Sequence, residues 1–172
     1  MKIGEKIAEA RKRVGFTQKD LSEGEEVFCS REAIAKYETG KRPFPKDHFR
    51  GVANTLDDPQ FYFDSWEETT GHVSIPFFDG DYIDQHPSAM KYMVKKETYE
   101  ALENMEKVCW AKPTHIRNSA EQEEIKQVIK ELLDAAASMI NLVAILCREY
   151  GFSMRSIFKQ WRLSTKAKRW WS

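Results

Sequence analysis

Arg31, Glu32 and Lys36 stand in the stretch SREAIAKYETGKRP, Ser30 to Pro43. An arginine offers a planar fork of donors to guanine O6 and N7, and a glutamate accepts from cytosine N4. A lysine one turn later reaches a base or a phosphate. Lys41 and Arg42 follow directly on Gly40, and two cations just beyond a helix stop suit a phosphate backbone. No catalytic constellation competes with this set. His48, His72, His86 and His115 show no ligand spacing and no HExxH. DGDYID, Asp79 to Asp84, lacks the turn glycine and the distal glutamate of a calcium loop and reads as a solvated turn. Cys29, Cys109 and Cys147 are unclustered and odd in number, so neither a disulfide framework nor a zinc site is implied. Cys29 precedes the polar set and reads as an inert thiol rather than an oxidation sensor. The chain is expected to be no enzyme and to need no metal or cofactor.

Short helices must position these residues. Ile3, Ile7, Ala10 and Val14 recur at helical spacing, and Gly15 ends that helix. Thr17 caps a second, with Asp20 three residues on, Leu21 inward and Gly24 as the stop. Ser30 caps a third, where Ala33, Ile34 and Tyr37 face the core and Arg31, Glu32, Ala35 and Lys36 face out. Gly40 stops it. A fourth is expected from about Pro45 to Leu56, with Phe49, Val52, Ala53 and Leu56 inward; Phe61, Phe63 and Trp66 close the core.

The segments IGEKIAEARKRVGFTQKDL and SREAIAKYETGKRPFP resemble the Cro/C1-type, or Xre, helix-turn-helix family over about the first 66 residues. The resemblance implies a four- or five-helix lambda-repressor-like DNA-binding domain whose recognition helix begins at Ser30. It places Gln18, near the start of the second helix, at the phosphate backbone, with Thr17, Ser30, Lys41 and Arg42 as further phosphate contacts. Base contacts then fall to Arg31, Glu32, Ala35 and Lys36. Leu21 to Ile34 is about two residues longer than the family pattern, the extra length lying in SEGEEVFCS. Against this stand a merely solvated charged face and a domain of this fold that binds protein.

Lys and Arg balance Asp and Glu over the 172 residues, but not locally. Residues 1–50 carry a net +3, residues 51–90 a net −8 with no cation, and residues 150–172 a net +6 with no acid. Such segregation speaks of partners. Periodicity lapses from 67 to 87, where Val73 to Phe78 reads as a short strand or a tether. That stretch is taken as an acidic linker between residues 1–66 and a C-terminal helical domain, 88–172. In the latter, Met90, Val94, Leu102, Met105 and Cys109 are expected inward on one helix. Ser119 and Gln122 should cap a second, with Ile125, Val128, Leu132, Ala136, Met139, Val143 and Leu146 inward. Ser153 opens a last helix with Met154, Ile157, Phe158 and Trp161 on one face. Its Arg155, Lys159, Arg162, Lys166 and Arg169 form a basic stripe. That stripe reads as solvated, because the helix is expected to pack on the C-terminal core; nucleic acid, the acidic segment 57–84 and a membrane surface are the competing partners.

The longest apolar run, Ala135 to Cys147, is too short to span a bilayer. LLDAAASMINLVAILC is apolar nearly all round and needs cover on several sides, which points to a homodimer. The expectation is an all-α, cytoplasmic, bacterial or phage-encoded transcriptional regulator, a repressor that binds an inverted-repeat operator in double-stranded DNA as a homodimer. It touches no membrane, and a small-molecule or protein effector is compatible with it. The competing class is an interaction module, such as an antitoxin or phage partner protein, whose C-terminal domain grips another protein.

Overall fold

The computed structural model describes residues 2–171 and is all-α. Among these residues there are eight α-helices, two 3-10 turns and no strand. The helices are α1 (Ile3–Arg13), α2 (Gln18–Ser22), α3 (Arg31–Glu38), α4 (Phe49–Leu56), α5 (Pro59–Thr70), α6 (Pro87–Lys107), α7 (Ser119–Tyr150) and α8 (Met154–Ala167). The chain divides into two compact units, Met1–Phe77 with Leu146–Ser172, and Phe78–Ile145.

In the first unit α1 packs on α3 and α5, α2 on α3 and α4, and α4 on α5. Ile7, Ala10, Leu21, Ile34, Tyr37, Phe49, Val52, Ala53, Leu56 and Phe61 form one continuous core. Each large aliphatic or aromatic side chain buried there contributes about 1.5–3 kcal/mol by leaving water. Two glycines let backbones touch. A Cβ on Gly4 would lie 2.0 Å from the Tyr37 carbonyl oxygen, and one on Gly51 would lie 1.9 Å from that of Glu26. So α1 crosses the end of α3, and α4 meets the α2–α3 connection, at distances only glycine permits.

The anticipated caps form at α2 and α3. The Thr17 hydroxyl accepts from the Asp20 N–H while the Asp20 carboxylate accepts from the Thr17 N–H, and the Ser30 hydroxyl accepts from the Ala33 N–H. Trp66, by contrast, is 40% exposed. It lies on α5, which continues to Thr70 and carries the first unit past residue 66. Phe63 turns inward and meets Phe77, ring centroids 5.4 Å apart. Val73 to Phe78 forms no strand.

α8 belongs to the first unit, not with α6. Its start is held by the chain just before α5. The Arg155 N–H donates to Asp57 Oδ1 and its guanidinium to Glu26 Oε1, at 3.0 and 2.8 Å. Asp57 adopts the left-handed conformation at the end of α4 and also accepts from the Tyr62 hydroxyl. Burial and the Asp57 charge together push the Tyr62 phenol far above its ordinary range. Of the expected inward face of α8, Met154 is buried and Phe158 half-buried, while Ile157 and Trp161 are exposed; Thr165 takes a buried place instead. α8 ends at Ala167, and Arg169 has a positive φ, so Arg169 stands off the stripe.

In the second unit α6 buries Met90 and Ala101, while Leu102 and Cys109 are exposed. α7 starts with a cap one residue earlier than Ser119. Asn118 Oδ1 accepts from the Glu121 N–H, and the Glu121 carboxylate accepts from the Asn118 N–H. The inward residues of α7 are Val128, Ala135, Ala137, Ser138, Asn141, Ala144 and Ile145. Leu132, Ala136 and Met139 face out, because the small residues and Asn141, whose side chain accepts from the Phe78 N–H, occupy the covered side.

Candidate nucleic-acid interface

The outer surface of α3 is built from its capped start. Arg31, Glu32 and Lys36 are exposed and Ala35 is half-buried, while Ile34 and Tyr37 anchor the opposite side. The Glu32 carboxylate is held below its ordinary value by its own backbone N–H and by the Ser30 hydroxyl. It is therefore turned toward the helix start, where a negative charge is favoured. Arg31 and Lys36 remain as the outward cations.

A half-buried ionic knot fixes this helix against α1 and α2. Glu38 accepts two hydrogen bonds from the Arg11 guanidinium, at 2.7 and 3.0 Å, and a third from the Gln18 amide at 2.8 Å. Arg11 also donates to the Phe16 carbonyl at 2.7 Å. The Glu38 bonds raise the Arg11 guanidinium further above its already high range. Gln18, expected at a phosphate, spends one amide N–H on Glu38 and keeps a second donor. Thr17 is exposed, with its hydroxyl engaged as the cap of α2, and Ser30 is likewise exposed and engaged at α3.

The starts of α2 and α3 come together around an open depression of about 470 Å³, lined by Arg11, Phe16, Thr17, Gln18, Lys19 and Arg31. Three cations and no carboxylate line it. Thr17, Gln18 and Arg31 are thus brought together, whereas Lys36, Lys41 and Arg42 lie outside this depression. Gly40, with φ near +69°, turns the chain out of α3, and the Arg42 N–H closes the exit on the Lys36 carbonyl. Lys41 and Arg42 are exposed, and the Arg42 guanidinium sits 5.5 Å over the Tyr37 ring. Phe44 packs edge-on against Tyr37 and Phe49, which fixes the path of the exit.

Sequence reasoning missed Arg11 and Glu38, because a contact between residues 27 apart leaves no local pattern. It also missed that Cys29 Sγ lies 2.8 Å from His48 Nδ1. Burial pushes the Cys29 thiol up, away from the reactive thiolate. The only metal-like cluster among the described residues is Glu97, Glu131 and Asp134, whose carboxylate oxygens lie within 4.8 Å of one another. Exposed acidic groups gather in this way without an ion. No helix among the described residues is long and apolar enough to cross a membrane.

No protein-family model, curated protein or solved structure matches the chain. The likeness to the Xre family therefore rests on the motifs themselves.

Proposed function

We propose that the chain is a sequence-specific duplex-DNA-binding transcriptional regulator, a repressor that occupies its operator as a homodimer. The carrying observation is α3 itself. It is capped, pinned through Glu38 to two neighbouring helices, and presents Arg31 and Lys36 outward, with Lys41 and Arg42 exposed at its exit. A helix entering the major groove needs a fixed angle and free donors near its start, and these residues supply both. Arg31 is the base reader, Lys36 reads a base or holds a phosphate, and Lys41 and Arg42 hold phosphates. Glu32 serves the helix start and reads cytosine only by giving up its Ser30 contact.

Pairing of two chains draws support from α7. Ile129, Leu132, Leu133 and Met139 are 52%, 44%, 59% and 41% exposed and lie on one side of the helix. Covering that stripe with a second copy removes it from water and sets two recognition helices on one duplex, each adding to the other's affinity.

The test is selection of bound sites from random double-stranded DNA, followed by titration of two variants. Arg31→Ala should weaken operator binding by about 1–3 kcal/mol and relax the preference at one base position. Lys41→Ala should weaken operator and random duplex alike and make the salt dependence shallower. Selection that enriches no sequence overturns the proposal.

A further inference from the structure

We infer that α8 is a second phosphate-contacting surface, in which Lys159, Arg162 and Lys166 grip the backbone of the duplex that α3 reads. This inference rests on the DNA-binding reading above. The sequence expectation of a solvated stripe assumed that α8 packs on the C-terminal core; instead α8 is part of the unit that carries α3. Arg155 anchors its first turn to Glu26, in the connection that leads into α3. Arg31 lies five positions after Glu26, a reach of at most about 18 Å. α8 itself, at 14 residues, is about 21 Å long. The first turn of α8 is therefore tied to the segment that leads into the recognition helix, within the same unit.

The charge on α8 is also arranged. Lys159, Arg162 and Lys166 are exposed and fall on one side of the helix, three and four residues apart. Among the described residues none of the three pairs with a carboxylate, whereas Arg155 spends its charge on Glu26 and neutralises an acid of the α2–α3 connection. The chain end folds back to order two of them. Trp171 Nε1 donates to the Thr165 hydroxyl at 3.0 Å, and the Trp171 ring lies 4.7 Å from the Arg162 guanidinium and 5.5 Å from the Lys166 ammonium. An aromatic face holds a cation without neutralising it, so the pair stays available to an anion with part of its side-chain entropy already lost. Phosphodiester is the anion that matches a row of cations one helical turn apart without base-reading side chains between them.

The experiment compares wild type with the triple exchange Lys159→Gln, Arg162→Gln, Lys166→Gln on the selected operator at several salt concentrations. Three lost phosphate contacts should lower affinity by tenfold or more at about 0.1 M salt and reduce the slope of log affinity against log salt by about 2–3. The charge-keeping exchange Lys159→Arg, Arg162→Lys, Lys166→Arg should retain the wild-type slope. Lys159→Gln alone, which leaves the Trp171 contacts in place, should reduce the slope by about 1 and guards against a triple variant that fails to fold. A neutral triple variant with the wild-type slope overturns the role of α8 while the α3 reading stands. Wild type that enriches no duplex overturns both. Tryptophan fluorescence with phosphatidylserine–phosphatidylcholine vesicles is the other arm: loss of vesicle binding in the triple variant, with operator binding intact, assigns the stripe to a membrane surface and overturns the inference.

Discussion

The helices of the first 70 residues and α7 are both rich in apolar side chains, yet they settle differently. In α1 to α5 nearly every large apolar residue finds cover. Ile7, Leu21, Ile34, Val52 and Phe61 are all at most 3% exposed. In α7 the covered side is lined largely by alanine, serine and asparagine, and the larger Ile129, Leu132, Leu133 and Met139 remain in water. Five short helices that pack on one another enclose a small core between them. A single long helix with one long neighbour in its unit covers one side only. Periodicity alone thus reports that a helix is amphipathic, and the number of neighbours decides which apolar residues become the core.

The sharpest way to break this comparison is to truncate one residue from each region. Phe61→Ala should destabilise the first unit by about 3–5 kcal/mol, because the side chain is fully enclosed and its site has little freedom to collapse. Leu133→Ala should cost less than about 1 kcal/mol in dilute protein, since more than half of that side chain is already in water. Urea denaturation read at low concentration measures both. At high concentration Leu133→Ala should weaken the proposed self-association in sedimentation velocity, which Phe61→Ala should leave alone as long as the chain is folded. Equal losses for the two variants would show that α7 is as fully enclosed as α5.

A smaller effect is expected at a backbone contact. Gly51→Ala places a methyl group against the Glu26 carbonyl, a neighbour that cannot rotate away. The cost should be about 1–3 kcal/mol, in the range of core overpacking. On the proposed DNA-binding role it should fall on duplex affinity as well, because the α2–α3 connection that must shift leads directly into Ser30. Gly80→Ala, in the second unit, meets no atom within 4 Å and should be neutral in the same melt.

Much of the α3 surface was legible because its determinants are local. A cap, a glycine stop and alternating inward and outward positions all act within one or two turns, and Thr17, Ser30, Ile34, Tyr37 and Gly40 stand as their residue types dictate. The Glu38 knot, the Gly51 contact and the docking of Arg155 were not legible, since each joins positions distant in sequence through a geometry no local pattern encodes. Trp66 and Leu132 misled for a related reason. Their spacing is right for a buried face, but the partner surface that would bury them is not where the spacing assumes. The cap of α7 shifted by one residue because Asn118 caps as well as Ser119 does and has Glu121 at the reciprocal position.

The smallest expected effect concerns acid. Glu26 accepts from the Asn54 amide and from Arg155, and these bonds hold its carboxyl below the ordinary value of 4.5, the Asn54 bond being the larger cause. A carboxylate with a depressed folded pKa stabilises the fold above its unfolded value. That stabilisation is lost as pH falls through the folded value, where the native state must take up the proton it had refused. In the second unit Glu121 is depressed in the same sense, chiefly by its bond to Lys112. The two differ in what they tie together. Glu121 joins residues nine apart within one loop, whereas Glu26 joins segments 129 apart in the chain. The Glu26–Arg155 contact is exposed and the Glu121–Lys112 contact half-buried at the surface, so each effect on global stability is small and screened by salt. Their local consequences should separate. In Glu26→Gln at neutral pH, where Glu121 keeps its charge, the start of α8 should become more accessible to trypsin at Arg155, while cleavage at Lys112 stays at the wild-type rate. Glu121→Gln should do the reverse. Arg155 protected equally in wild type and Glu26→Gln would mean that the Asp57 contact alone seats α8 on the first unit.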